Sequence, residues 1–273
     1  MGDGVEFYNM PDLSGPIEWA PIVEGAYAVV HLAGIAHATA RIPLDTYMIV
    51  NTDATHRLAQ TAKATGVERF VFVSSIRAQT GFNADSVLTE RSPPAPTDAY
   101  GISKLEAERR IVASGCCYKI LRPVVMYGPH AKGNMRKLLC LARLPVPLPL
   151  RGLQGRRSFL SVFNLASAVT FVLSDQDDTS QTYVVADRTA LTIPAAIDAL
   201  RDGLSVRAPQ FTIPGWALRS TLAMVGKADV WPQMTGDLIV SAGRLLADGW
   251  DPLMDAPDGL RLYGEWARTW SQP

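Results

Sequence analysis

The sequence lacks the features that would direct a protein to nucleic acid, to a membrane or to an oxidising compartment. Its 26 Lys and Arg are balanced by 26 Asp and Glu, so it has no basic excess to neutralise phosphates. Its three cysteines include an adjacent pair, Cys116 and Cys117, and have neither disulfide-framework nor metal-ligand spacing. The most apolar stretch, residues 138–150, is interrupted by Arg143 and three prolines. We therefore expect a cytoplasmic protein with no nucleic acid partner, membrane span or metal.

The sequence does contain short apolar runs that alternate with segments of helical length. Of its 273 residues, 48% are apolar, enough for one large core or two modest ones. Strands are predicted at residues 4–8, 28–32, 69–74 and 118–122, and helices at 47–65 and 98–114. The nearly continuous apolar character of these strands is typical of a sheet covered on both faces. The prediction is an α/β fold with a doubly wound, Rossmann-like parallel sheet.

The second half of the chain differs from the first in composition and in its predicted elements. Prolines cluster near residue 147, and helices are predicted at residues 134–144, 165–173 and 194–204, with a strand at 182–186. We interpret residues 1–130 as a dinucleotide-binding domain. Residues 131–273 form mainly a smaller α+β substrate-binding part, in which about 159–186 return to the sheet.

The segment Tyr100-Gly-Ile-Ser-Lys104 has the most informative spacing of side chains for a catalytic site. On a helix, residues four apart share one face, so a phenol and an ammonium can reach a common small volume. A nearby positive charge favours phenolate and lowers the pKa of a tyrosine towards a useful range. Ser74 and Ser75 end an apolar strand, and ligands of open α/β sheets bind at that end of the strands. Taken alone, the Tyr-Lys spacing is weak evidence, because most such spacings belong to ordinary helix surfaces.

The sequence resembles the extended short-chain dehydrogenase/reductases, specifically the NAD-dependent epimerase/dehydratase family that acts on nucleotide sugars. The resemblance covers the whole chain in the right order. Its segments are VVHLAG (29–34), the stretch 50–75 that ends in FVFVSS, YGISKLEAE (100–108), LRPVVMYGP (121–129), RRSFLSVFNLASAV (156–169), GWDP (249–252) and DGLRLYGEW (258–266).

The resemblance implies a role for individual residues. Tyr100 is the catalytic acid and base, Lys104 binds the nicotinamide ribose and lowers the tyrosine pKa, and Ser75 holds the reacting sugar oxygen. Asn134 and Arg157 contact the diphosphate of the nucleotide. The residues expected to bind NAD or NADP are Asp12, Leu13, Ala33, Gly34, Asn51, Ser74, Tyr100, Lys104, Pro123 and Val124. On the simpler interpretation, Asn51 satisfies helix backbone groups and Arg157 is a surface charge.

The family's opening motif is missing from this sequence. No GxxGxxG turn precedes Val29, and residues before Asp12 are interpreted as the family's third strand. The loss of strand one is expected to leave residues 28–32 with an unpaired edge and to weaken the cofactor site. We expect a start codon placed too far downstream or a truncated gene, rather than a rearrangement that pairs residues 4–8 beside 28–32.

The leading hypothesis is an NAD(P)-dependent epimerase or 4-keto reductase of a nucleotide-diphosphate sugar, acting at C4. The dehydratases of the family carry an Asp-Glu pair where this chain has Ile76 and Arg77, which argues against dehydration. The alternative is an impaired remnant, or a sugar-nucleotide binding protein without a working cofactor site. The resemblance also implies a homodimer built from the helices at residues 51–65 and 100–114.

Overall fold

The structure, a computed structural model, describes residues 6–36, 42–174, 179–224, 226–228 and 230–269. The strands are β1 Ala28–His31, β2 Arg69–Val73, β3 Tyr118–Pro123, β4 Val125–Tyr127, β5 Arg156–Arg157, β6 Phe159–Ser161, β7 Gln181–Val185 and β8 Leu191–Thr192. The helices are α1 Ala20–Val23, α2 Leu44–Tyr47, α3 Ala54–Ala64, α4 Ala99–Ser114, α5 Gly133–Ala142, α6 Val162–Ser174, α7 Ile193–Leu204, α8 Gly215–Met224, α9 Val230–Thr235, α10 Gly243–Ala247 and α11 Ala256–Thr269.

The main sheet has four parallel strands in the order β1-β2-β3-β7. Helices connect successive strands, as parallel pairing requires. The predicted Rossmann-like α/β fold is therefore confirmed. In the second half, β7 joins this sheet, whereas β6 pairs with β4 in a separate two-stranded sheet. The domain boundary at residue 130 stays a prediction.

Both faces of the sheet are covered, because alternate residues of a strand point to opposite sides. Phe70 and Phe72 of β2 pack in an apolar cluster with side chains of α1, α3 and α4. Val71 and Val73 belong to a second cluster, with side chains of α6 and α10. A third cluster joins α5, α7 and α11 to β4 and β6. The fully buried β2 explains why its sequence is apolar at every position but the first.

The predicted strand at residues 4–8 is wrong in its described part. Residues 1–5 lie outside the described residues, and residues 6–8 have no strand structure. Phe7 is 94% exposed, so the apolar run packs against nothing that would hold it extended. High strand propensity does not form a strand without a neighbour that takes its backbone hydrogen bonds. In the described sheet, β1 is accordingly the edge strand.

The helix predicted at residues 47–65 is more complex than expected. The chain enters α2, passes through a π-helical segment at Met48–Asp53 and continues as α3. Such segments are rare and often occur at functional sites. Here the widened turn contains Asn51, whose side chain is buried.

Among the described residues, no helix is long and apolar enough to cross a membrane. No group of three or more His, Cys, Asp and Glu side chains in the same residues could hold a metal ion.

Candidate active site

Three segments predicted to bind cofactor or substrate end at the same edge of the main sheet. Gly34 follows β1, Ser74 and Ser75 follow β2, and Pro123 is the last residue of β3. Because the strands are parallel and in register, these carboxyl ends lie side by side. This edge is where open α/β sheets bind ligands.

Tyr100 is the second residue of α4 and is only partly buried. Helix α4 begins directly after Asp98 because the Asp98 side chain caps it, accepting a 2.7 Å hydrogen bond from the Gly101 backbone N–H. Burial raises the pKa of the Tyr100 phenol, and the neighbouring Ser75 hydroxyl lowers it by less. The pKa of Tyr100 is therefore raised from its ordinary value.

The expectation that Lys104 lowers the pKa of Tyr100 stays a prediction. In this structure Arg77 lowers the pKa of Tyr100, and its effect is smaller than that of burial. The Lys104 ammonium donates to the Val73 carbonyl oxygen at 3.0 Å and lies 4.5 Å from the centre of the Phe72 ring.

Lys104 is itself almost fully buried, with 4% of its surface exposed. Burial lowers the pKa of its ammonium to about 8, and the nearby Glu108 carboxylate opposes that change. An ammonium has three hydrogens to donate, and the Val73 carbonyl takes one of them. Lys104 therefore keeps donors for a bound hydroxyl.

Asn51 fixes the loop that follows β1. Its amide accepts from the Ile35 backbone N–H at 2.7 Å and donates to the Ile35 carbonyl oxygen at 3.0 Å and to the Ser103 hydroxyl at 3.1 Å. A Cβ added at Gly34, where φ is +151°, would lie 2.7 Å from the Asn51 amide oxygen and 3.8 Å from the Lys104 nitrogen. Gly34, Asn51 and Lys104 are thus brought together, and Asn51 joins the loop after β1 to α4 through Ser103.

A buried ionic network lies beneath Ser75 and Lys104. Ser74 donates its hydroxyl proton to the Glu108 carboxylate. Arg122 of β3 binds the same carboxylate through two nitrogens, with Nη2 at 2.6 Å. These three side chains are each more than nine-tenths buried. Ser74, which was expected to lie beside the cofactor, is therefore hydrogen-bonded to a buried side chain. Its position at the end of a strand did not indicate this bond.

Arg77 and Asp98 were missed by the sequence-based prediction. Their side chains form an ion pair between the segment after β2 and the start of α4. The Arg77 guanidinium also stacks on the Phe82 ring, 3.8 Å from its centre. Asp98 could have been recognised from the sequence, because an Asp directly before a predicted helix is a typical capping residue. No local sequence pattern identifies Arg77 as its partner.

The residues predicted to bind the diphosphate lie in the second half of the chain. Asn134 is exposed in the first turn of α5. Arg157 is partly buried, and its guanidinium donates to the Phe82 carbonyl oxygen at 2.9 Å and to the Asn83 side chain at 2.8 Å. It also donates to the carbonyl oxygens of residues 233 and 236. Arg157 thus joins β5 to the loop at residues 82–83 and to the end of α9.

The remaining predicted residues are less closely grouped. Asp12 is exposed in a turn, where it accepts from the Ser14 backbone N–H at 2.9 Å. Leu13 is partly buried against the cluster of α1, α3 and α4. Val124 is buried, and its backbone N–H donates to Val185. Ala33, like Gly34, is exposed after β1. No contact among the described residues joins Asp12 to the Tyr100 group.

The geometry fits the nicotinamide and ribose end of the predicted dinucleotide. Lys104 has free donors, Gly34 leaves room where a Cβ would collide with Asn51, and Ala33 and Gly34 present an open surface at the carboxyl edge of the sheet. The pyrophosphate end has no such counterpart among the described residues. No glycine-rich turn between a strand and a helix lies beside β1 there.

Comparison with known proteins identifies relatives of this chain. Residues 8–186 match the profile of the NAD dependent epimerase/dehydratase family. A UDP-glucose 4-epimerase of Vibrio cholerae is 30% identical over 269 residues, which are 95% of this chain and 82% of the relative.

Solved structures show the same fold. RMD from Pseudomonas aeruginosa, complexed with NADPH, superimposes with a TM-score of 0.74 at 22% identity, covering 97% of this chain and 89% of that one. MoeE5, in complex with UDP-glucuronic acid and NAD, gives a TM-score of 0.73 at 23% identity, covering 95% and 84%. The expectation of NAD or NADP as the cofactor is confirmed at the level of the family. The chain belongs to the NAD-dependent epimerase/dehydratase family of extended short-chain dehydrogenase/reductases.

Proposed function

We propose that this enzyme interconverts a hydroxyl and a ketone at C4 of a nucleotide-diphosphate sugar, as an epimerase or a 4-keto reductase. The observation that carries the proposal is the placement of Ser75, directly after β2, beside Tyr100 and Lys104, which lie four residues apart at the start of α4. A phenol that lies beside a second hydroxyl is suited to taking a proton from, and returning it to, a substrate oxygen held between them.

Each residue has one task in this scheme. When bound, NAD or NADP supplies the hydride acceptor or donor. Tyr100 exchanges the proton of the C4 oxygen through its phenol oxygen, and Ser75 donates a hydrogen bond that holds the same oxygen. Lys104 binds ribose hydroxyls through the donors that Val73 leaves free. The raised pKa of Tyr100 keeps the phenol protonated at neutral pH, which suits the direction in which it gives a proton to a ketone.

The substrate class is argued from the residues and the relatives together. The relative from Vibrio cholerae is a UDP-glucose 4-epimerase, and MoeE5 was solved with a UDP-sugar. We propose a UDP-hexose, with Asn134 at the N-terminal end of α5 and Arg157 contacting the diphosphate. Backbone N–H groups of a helix N-terminus and a guanidinium both suit phosphate oxygens.

Substitution of Tyr100 tests this function. Tyr100→Phe removes only the phenol oxygen, so we expect turnover of UDP-hexoses with NAD(P)+, or of their 4-keto derivatives with NAD(P)H, to fall by a factor of about 100 or more. Binding of the sugar nucleotide, measured by calorimetry, should change by less than about threefold, because the ring remains. Tyr118→Phe, a partly exposed tyrosine on β3, is the matched control and should retain full turnover.

Two results would go against the proposal. Turnover that survives in Tyr100→Phe would remove Tyr100 from the chemistry. Sugar binding by the wild type without any turnover would favour the alternative of a binding protein without a working cofactor site.

A further inference from the structure

Arg77 connects the two elements that carry Ser75 and Tyr100. It lies in the short 3-10 helix Ile76–Ala78, directly after Ser75 at the end of β2. Its backbone N–H donates to the Ser75 hydroxyl oxygen at 3.1 Å. That bond leaves the Ser75 hydroxyl proton free to point at another acceptor, because the oxygen is the atom that accepts from Arg77.

The backbone carbonyl of Arg77 meets the start of α4. A Cβ added at Gly101 would collide with this carbonyl oxygen, so the residue after Tyr100 has to be glycine for the two elements to approach so closely. The Arg77 main chain therefore contacts Ser75 on one side and the neighbour of Tyr100 on the other.

The Arg77 side chain makes a second connection to the same helix. Its guanidinium pairs with the Asp98 carboxylate, whose other oxygen caps the Gly101 N–H at 2.7 Å. Only 13% of the Arg77 side chain is exposed, and its Nη1 is buried with no hydrogen-bond partner among the described residues. Stacking on Phe82 restricts the guanidinium further. The Asp98 side chain is 37% exposed, so the ring contact and the burial of Arg77, rather than shielding of the whole pair, fix the guanidinium.

The same pair surrounds Tyr100 electrostatically. Arg77 lowers the pKa of the phenol and Asp98 raises it. The other groups that face the phenol are Ser75, whose hydroxyl lowers the pKa, and Tyr47 of α2, which raises it. Lys104 lies one turn further along α4.

We propose that Arg77, through its ion pair with Asp98, is a positioning residue that sets the distance and orientation between the Ser75 and Tyr100 hydroxyls. This rests on the proposed function of those two residues. The pair acts as a clamp, since Arg77 binds Ser75 with its backbone while its side chain holds the cap of the helix that carries Tyr100.

Four variants test the clamp. Arg77→Gln removes the charge, Arg77→Lys keeps it without the planar fork, and Asp98→Ser keeps a helix-capping oxygen without the charge. The fourth combines Arg77→Gln with Asp98→Ser. Arg188→Gln and Asp251→Ser, which break an exposed ion pair of the same kind, are the matched controls. Folding is checked by circular dichroism.

We expect kcat to fall at least about tenfold in Arg77→Gln and in Asp98→Ser, with KM changed by less than about threefold, because orientation rather than binding is lost. Arg77→Lys should recover part of kcat. The double variant should lose no more than the worse single variant, since both break one contact. Neither control should change kcat.

A second readout needs no turnover. With tyrosine labelled with carbon-13 at Cζ, the Tyr100 resonance is assigned by its loss in Tyr100→Phe and followed by NMR as pH is raised. Arg77→Gln should raise the pKa of Tyr100, Asp98→Ser should lower it, and the controls should leave it unchanged.

Each possible result supports or overturns the positioning role of Arg77. Unchanged kcat in Arg77→Gln, or pKa changes of Tyr100 that are absent or of the same sign in the two single variants, overturns the proposal. If Arg77→Gln does not fold, Asp98→Ser and Arg77→Lys carry the same test. If Tyr100→Phe remains active, the proposed function fails, whereas the NMR titration still reports whether Arg77 and Asp98 flank the phenol.

Discussion

Glu108 is the residue on which the buried side of the site depends. Its carboxylate accepts from Ser74 and balances the charge of Arg122, and both ion-pair partners are more than nine-tenths buried. Removing one charge of a buried pair leaves the other uncompensated, which is strongly destabilising. We expect Glu108→Gln to lower the free energy of unfolding by about 3 kcal/mol, measured by urea denaturation.

The matched control lies on the same helix. Glu106→Gln breaks exposed pairs with Arg109 and Arg110 and should cost less than about 1 kcal/mol. Equal losses for the two variants would contradict the importance assigned to the buried pair.

Some of the residues at the candidate site were predictable and others were not. Ser75, Tyr100 and Lys104 come from local rules, the end of an apolar strand and a spacing of four on a helix. Arg77 could not be found this way, because its partner Asp98 lies 21 residues away in sequence and only the packing of α4 brings it near. The burial of Lys104 could not be predicted from the sequence either, because it results from tertiary packing.

At the scale of elements, the contact between the 3-10 helix after β2 and the first turn of α4 determines the shape of the site. Gly101→Ala places a methyl group against the Arg77 carbonyl oxygen, so the start of α4 has to move. We expect kcat to fall at least about tenfold while the thermal midpoint drops, because misplacement of a reacting group costs rate steeply.

Gly215→Ala is the control for this substitution. It also changes a glycine in the first turn of a helix, but the nearest atom to the added Cβ is 3.4 Å away, on Trp231. A Gly101→Ala variant that behaves like Gly215→Ala would show that the close approach is unimportant.

The elements differ in how far sequence determines them. Predicted at residues 98–114 and observed at Ala99–Ser114, α4 is well marked because Asp98 caps one end and Gly115, with φ of +69°, closes the other. The π-helical segment at Met48–Asp53 escapes prediction, because one widened turn barely alters the apolar periodicity. The strand predicted at residues 4–8 failed because sheet structure needs a neighbouring strand that propensity cannot supply.

At the scale of the whole molecule, we propose a homodimer in which α4 contributes apolar side chains to the interface. Ile102 is 40% exposed and Val112 51% exposed, so α4 offers apolar side chains to a partner. Light scattering should give the wild type twice the mass of one chain. The double variant Ile102→Glu/Val112→Glu should give the mass of a single chain.

Leu253→Glu changes an exposed apolar residue elsewhere on the surface and should leave the dimer intact. A wild type that is monomeric at micromolar concentration, or a double variant that stays dimeric, would contradict this interface.

In the proposed reaction Tyr100 moves the proton while the C4 hydrogen travels as hydride. This is tested with a UDP-hexose deuterated at C4, incubated with the protein and NAD(P) and analysed by mass spectrometry. Deuterium should be retained, at C4 of the inverted sugar or on the nicotinamide ring, and Tyr100→Phe should abolish both products. Deuterium released into water, or retained products formed equally well by Tyr100→Phe, would contradict it.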